Sequence, residues 1–260
     1  MKRRHLFELE DQAWFPAALR VAVTRYIVAF HRLLGTADEI AALAARALEE
    51  SGARQIHDLG SGQGGPQADV LAALRRRPNL ESVTITLSDL YPSPEAAAAC
   101  ADVAGLSYRP EPLDAAAPGP LPPGLRTMIC SLHHLRPEAA RAVLGDAARA
   151  RQPFLAYEIS DNGAPAALWW TAIPAAALLV PFVTLWVRPL SLLQLALTYL
   201  LPLLPLCIGW DGAVSNLRTY GLADLDELLG EVPCEGYRWE KGTLGSGPSK
   251  RLYLLGLPEA

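Results

Sequence analysis

Residues 55–66 leave few folds open. Gln55–Leu59 reads as a short buried strand, and Gly60-Ser61-Gly62-Gln63-Gly64-Gly65 follows it directly. Pro66 then opens a helix with Val70, Leu71 and Leu74 on its inner face. Glycines at a strand-to-helix turn accept positive φ and let a ligand approach the backbone closely. The helix amino terminus behind them adds partial positive charge. No Gly-Lys-Ser/Thr follows, which excludes a P-loop, and the turn runs G-x-G-x-G-G rather than the dinucleotide-binding G-x-G-x-x-G.

The surrounding pattern is that of an α/β chain. Apolar residues at helical spacing predict helices near 17–34 and after Thr36, where Thr36 and Glu39 match a T-x-x-E capping box and Gly52 ends the helix. Strands are expected at Val83–Leu87, Leu106–Tyr108, Thr127–Ser131 and Phe154–Ile159, with helices at Pro94–Val103 and Pro137–Ala150. Strands alternating with such helices make βαβ units and a parallel sheet. A short helix at Leu222–Leu229 precedes two strands, Tyr237–Glu240 and Arg251–Leu257, flanking Gly245-Ser-Gly-Pro248 as a closing antiparallel hairpin.

The turn, with Asp58 two positions before its first glycine, resembles motif I of the class I S-adenosylmethionine (SAM) dependent methyltransferases. The resemblance covers roughly residues 50–160 and the terminal hairpin. It implies a Rossmann-like, seven-stranded α/β sheet with SAM as cofactor. It assigns Asp58, Gly60, Ser61, Gly62 and Gly64 to the methionine end. Asp89 lies 25 residues past Gly64 at the end of the second strand; with Leu90 beside it, Asp89 takes the acid position that holds the ribose hydroxyls. Asp114 falls near the expected adenine site, against an alternative of a helix-capping or solvated acid, and Ser131, within Cys130-Ser131-Leu132, falls at motif IV beside the methionine moiety. In this fold amino-terminal helices often cover the cofactor, which makes Trp14, Phe15 and Tyr26 lid candidates against an alternative of ordinary helix packing.

SAM carries its own leaving group, so the protein need only position a nucleophile and remove a proton. His133 and His134 follow the fourth strand, at the ligand crevice of a parallel sheet. Imidazole suits proton removal near neutral pH; orienting SAM's carboxylate or capping the next helix are the other roles open to them. This position lacks the Asn/Asp-Pro-Pro-Tyr/Phe pattern of enzymes that methylate amino groups of nucleic acids or proteins. Tyr157 and Glu158 end the fifth strand; a buried Glu158 needs a partner, for which Arg218 is the candidate, and the alternative is that it faces water. Asp211, Asn216, Arg218 and Tyr220 form a polar return segment that reads either as an acceptor pocket or as an ion-paired connection.

Between Ala164 and Trp210 the only charged residue is Arg188. This stretch lies where the class I fold commonly carries substrate-binding insertions. It admits three readings: a folded helical lid over an apolar pocket, a patch that dips into a membrane surface, and a spanning hairpin with Arg188 at its turn. Pro165, Pro174, Pro181, Pro189, Pro202 and Pro205 weigh against two unbroken spans. Asp161 and Asp211 at the flanks oppose the positive-inside tendency. Trp169, Trp170, Trp186 and Trp210 near the ends of the apolar runs suit an interfacial belt or a pocket rim.

Composition narrows the functional classes. With 23 basic against 27 acidic side chains, the net charge of −4 argues against a general grip on nucleic acid. No apolar core of secretory type follows Met-Lys-Arg-Arg-His, so a signal peptide is not expected; no metal-binding cysteine pattern is present, and Cys100, Cys130, Cys207 and Cys234 read as reduced thiols of a cytoplasmic protein, with membrane association as the variant reading. The chain is expected to form one SAM-binding domain over 1–260. A helical cap is expected at 1–52 and the apolar insertion at 162–220. The leading expectation is methyl transfer to a small or lipophilic acceptor. The alternatives are intramolecular cyclisation of SAM to azetidine-2-carboxylate and methylthioadenosine, or a non-catalytic SAM-binding, membrane-associated protein.

Overall fold

The computed structural model describes residues 1–232, 235–247 and 250–259. Cys234 and Pro248 lie outside the described residues. The chain forms two compact units: Thr36–Asp161 with Tyr220–Ala260 (and Met1), and Lys2–Gly35 with Asn162–Thr219. This division corrects the expected cap at 1–52. The second helix belongs to the sheet unit, while the first joins the apolar insertion.

The sheet unit contains β1 (Gln55–Leu59), β2 (Thr84–Ser88), β3 (Leu106–Tyr108), β4 (Leu125–Ile129), β5 (Phe154–Glu158), β6 (Tyr237–Leu244) and β7 (Arg251–Pro258). Their order is β3-β2-β1-β4-β5-β7-β6; β1 to β5 pair in parallel and β7 runs antiparallel to both neighbours. This is the expected seven-stranded class I arrangement.

Side chains of β5 show why its sequence is a continuous apolar run. Leu155 and Tyr157 join a core with α2 (Thr36–Ser51) and α3 (Gln67–Arg75), while Phe154 and Ala156 join the opposite core with α5 (Pro137–Arg149) and α10 (Leu222–Leu229). A strand covered on both faces needs apolar residues at both parities. The remaining helix of this unit, α4 (Pro94–Ala101), is capped by the Ser93 hydroxyl, which accepts from the Ala96 amide. The expected capping box of α2 is replaced: Glu39 Oε2 instead accepts from Arg251 Nε and from the Tyr157 hydroxyl, both at 2.7 Å. Gly35 at φ 67° ends α1 and α2 starts at once, leaving no separate cap segment.

The helical unit contains α1 (Ala17–Leu34), α6 (Ala166–Trp169), α7 (Ala172–Val183), α8 (Leu192–Leu195) and α9 (Leu203–Arg218), with a 3₁₀ turn at Thr184–Trp186 and a π turn at Ala196–Leu200. The prolines do divide the apolar stretch. Pro202 precedes α9, Pro205 lies in its first turn, and Pro181 lies inside α7. α7 and α9 pack directly against each other. Gly209 makes this possible, because a Cβ there would stand 2.8 Å from Ile173 Cα and 3.1 Å from Ala176 Cβ. Tyr26 is fully buried, its hydroxyl hydrogen-bonded to Thr184 Oγ1 and Thr198 Oγ1 at 2.7 Å each.

Candidate active site

Parallel strands bring their carboxyl ends to one edge, and the strand order reverses between β1 and β4, the switch point where ligands bind in such sheets. The glycine turn leaves β1 at this edge. Asp89 follows β2, Ser131 and His133 follow β4, and Glu158 ends β5.

Asp58 serves the turn from beneath. Its Oδ1 accepts from Gln67 Nε2 and Thr127 Oγ1, and its Oδ2 from Ser61 Oγ, each at 2.6 Å. Burial pushes the carboxyl up to about 7, against the opposing pull of those three donors. Ser61 is tied down as well, its amide donating to the Ser88 carbonyl and its hydroxyl accepting from the Ser88 amide. Both residues therefore shape the loop rather than face a ligand, which corrects their placement among direct cofactor contacts.

The glycines divide by role. Gly60 stands at φ 68°, and a Cβ there would come within 3.3 Å of Ser131. Gly62 stands at φ 50° with nothing within 4 Å of a built Cβ, so open space lies against its backbone. Gly64, at φ 96°, faces Leu87 at 3.4 Å. Asp89 sits beside this cradle: Oδ2 accepts from the Gly62 amide at 2.8 Å and Oδ1 from the Tyr91 amide at 2.9 Å. Each oxygen keeps lone-pair capacity for a further donor. Two contacts that the sequence reading missed also brace the turn. The Tyr108 hydroxyl donates to the Gly62 carbonyl at 2.8 Å, and Thr127 meets Asp58 because β1 and β4 pair in that register.

His133 and Glu158 form a buried pair, with Nδ1 to Oε2 at 2.7 Å and the His133 amide donating to Oε1 at 3.2 Å. Glu158 thus finds its partner in His133 instead of Arg218. A proton on Nδ1 directed to the carboxylate makes Nε2 the basic nitrogen of the ring. The His134 ring lies over that of His133, centroids 4.3 Å apart.

Other expected site residues are used differently. Asp114 is exposed, and its Oδ1 accepts from the Ala116 amide, closing a turn in the helix-free 109–124 connection. Leu90 is exposed. Tyr157 points to Glu39 on the opposite sheet face from Glu158, as strand alternation requires. Tyr220 is buried in the sheet unit and donates to the Leu135 carbonyl. Tyr26 is core rather than lid, whereas Trp14 is 67% exposed. In the helical unit, Asp211 accepts from the Leu9 and Glu10 amides, and Arg218 Nη1 meets Asp11 Oδ2 at 2.7 Å and Glu8 Oε1 at 2.9 Å. Asn216 donates to the Gly212 carbonyl. Asp211 and Arg218 thus fasten the amino-terminal segment to α9 while Asn216 bonds within that helix, so the contacts match the ion-paired connection rather than the acceptor pocket.

No known family profile and no curated protein matches the chain. Solved structures do. The methyltransferase domain of bacterial CtHen1-C is 11% identical, with a TM-score of 0.50 over 86% of this chain and 98% of that one. The mitomycin 7-O-methyltransferase MmcR is 19% identical, with a TM-score of 0.46 over 87% of this chain and 54% of that one. Human N-acetylserotonin methyltransferase is 14% identical, with a TM-score of 0.44 over 88% and 55% respectively. The chain spans little more than half the length of the last two. The fold of the sheet unit is that of class I methyltransferases.

Proposed function

We propose that the chain is a SAM-dependent methyltransferase acting on a small or lipophilic acceptor. The observation that carries this reading is the convergence, at one sheet edge, of an open glycine cradle, a backbone-anchored acid and a buried His–Glu pair. Open space lies against the Gly62 backbone, and an Asp89 carboxylate anchored by two amides with lone pairs to spare supports a ribose-binding role. When bound, SAM supplies an electrophilic methyl group on a sulfonium that departs as a neutral thioether.

The protein's part is placement and proton transfer. Glu158 fixes the His133 ring through Nδ1, and Nε2 accepts the proton of an acceptor hydroxyl or amine as the methyl bond forms. Glu158 is a positioning residue in this scheme, and its carboxylate also offsets charge on the imidazole. His134 stacks on the ring and restricts its swing. We place the enzyme in a reducing cytoplasm, where scattered thiols such as buried Cys100 and Cys207 stay reduced.

The test is an incubation of the purified chain with SAM. S-adenosylhomocysteine formed only with an added acceptor extract supports methyl transfer. Methylthioadenosine from SAM alone overturns it in favour of cyclisation, and bound but unchanged SAM overturns it in favour of a binding protein. Asp89→Ala should weaken SAM binding at least about a hundredfold, from the loss of two charge-assisted hydrogen bonds. Undiminished affinity by calorimetry sinks the ribose assignment.

A further inference from the structure

The helical unit wears its apolar residues outside. Between Leu178 and Leu206, thirteen large apolar side chains are exposed, from 42% to 85%, with Leu178, Phe182, Leu192 and Leu200 each above two thirds. At roughly 100 Å² apiece they exceed the ~300–600 Å² patch of a typical soluble monomer. The apolar helix Ala166–Trp186 has a mean hydropathy of 1.8 and is only 17% buried, which is opposite to a core helix. A closed lid would bury this surface within the unit, and it does not.

Three features say what covers it. The first is charge. The helical unit carries eight basic against four acidic side chains, the sheet unit fifteen against twenty-three. Net charges of +4 and −8 follow in one chain. Two of the cations border the patch. Arg25 Nη1 reaches Gln194 Oε1 at 3.5 Å, beside exposed Leu192 and Leu193, and exposed Arg188 donates to the Leu185 carbonyl at 3.0 Å. A second copy of this unit would bring the same positive charge to the contact, whereas an anionic surface opposes it.

The second feature is amphipathic placement. Leu178, Phe182 and Leu185 follow the i, i+4, i+7 rule along one helical face, while Tyr26, Thr184 and Thr198 keep the polar atoms of the inner face satisfied. The third is anchoring. Trp170 packs on Trp210 at 5.6 Å and Trp210 on Phe7 at 5.2 Å, an aromatic cluster of the kind that sits at a membrane–water interface. Beside it lies an apolar cleft of about 320 Å³ between Phe7, Ile173, Leu203 and Trp210.

We infer that the helical unit is a monotopic membrane anchor that seats the Leu178–Leu206 face in one leaflet of an anionic bilayer. Arg25 and Arg188 lie at the phosphate level. The two ends of the hairpin meet, Asn162 Nδ2 donating to the Thr219 carbonyl at 3.0 Å, so the chain enters and leaves on one side. The inference stands on the surface of this unit and needs no assumption about the reaction.

The experiment is cosedimentation of the full chain with preformed vesicles of phosphatidylcholine containing phosphatidylglycerol. Wild-type protein is expected to pellet with these vesicles, with Trp fluorescence shifting to the blue, and to bind pure phosphatidylcholine at least about tenfold less. The double variant Phe182→Glu, Leu192→Glu alters only exposed positions and should keep the wild-type melting curve while losing at least about tenfold in partitioning. If the wild type stays in the supernatant as a monomer or a discrete dimer, or if the variant partitions equally, the anchor is overturned. Equal binding to neutral and anionic vesicles overturns the assignment of the cations. SAM binding measured on the same preparations is read separately, so failure of the anchor is distinguishable from failure of the proposed enzyme.

Discussion

The two units solve opposite problems with the same residues. The sheet unit hides its leucines and shows an acidic surface; the helical unit hides threonines and a tyrosine hydroxyl and shows leucines. The first is a scaffold whose polar groups converge on one edge. The second has its polar groups committed inward, to the amino-terminal segment and to Tyr26, and keeps an apolar exterior. On the two proposals above, recognition of reactants belongs to the first and recognition of an environment to the second.

The sharpest way to break this division is to remove the proposed base. His133→Ala should lower turnover by roughly 10²–10⁴-fold. SAM affinity should stay within a few-fold of wild type and vesicle binding should not change. Loss of SAM affinity of the same size would make His133 a cofactor ligand instead of the base. Glu158→Gln should retain part of the rate, because Gln still accepts from Nδ1.

Arg218→Met attacks the other side. It removes the cation that pairs with buried Glu8 and with Asp11, a change that costs about 3–5 kcal/mol when one partner of a buried pair is lost. The helical unit should melt at lower temperature and vesicle binding should fall, while calorimetric SAM binding persists. Equal losses in both properties would show that the two units stand or fall together.

Much of the first unit was legible because its signals are local. β1 and its turn are written in a run of apolar residues followed by glycines, and the structure places Gln55–Leu59 where the pattern predicts. Asp89 was legible for the same reason, as the first acid past a strand. Pairings between distant residues were not. Glu39 matched a capping box three residues from Thr36, but Arg251, 212 positions away, offers two charge-assisted bonds. For Glu158 the sequence offers Arg218 or water; the turn after β4 brings His133 instead. In the helical unit the spacing of Tyr26 marked an apolar face without saying which side of that face is buried. Gly209 gave no signal at all, since a lone glycine in a helical pattern reads as a weakness until its neighbour is known.

Gly209→Val tests that neighbour. The added side chain meets backbone of α7, so overpacking should cost the helical unit about 1–3 kcal/mol, read as a lower melting temperature with an unchanged SAM isotherm. Gly62→Ala makes the converse change in the sheet unit. It fills open space at positive φ, so SAM affinity should fall more than stability does.

The smallest effect is a slope, and it compares one buried carboxyl from each unit. Burial pushes both Asp58 and Asp211 up to about 7. An unfolded aspartate titrates near ~4, so between those values the folded chain binds the extra proton. Stability then falls as pH rises from about 4 to 7, at up to ~1.4 kcal/mol per pH unit for each group, and levels off above. Asp58→Asn keeps an oxygen for Gln67 and Thr127 and removes the charge, so urea unfolding of the sheet unit should lose that slope. Asp211→Asn should flatten the corresponding slope of the helical unit and leave the first intact. A wild-type profile that rises across this window would mean that the three donors around Asp58 outweigh its burial, making the base of the glycine turn an anion rather than a neutral acid.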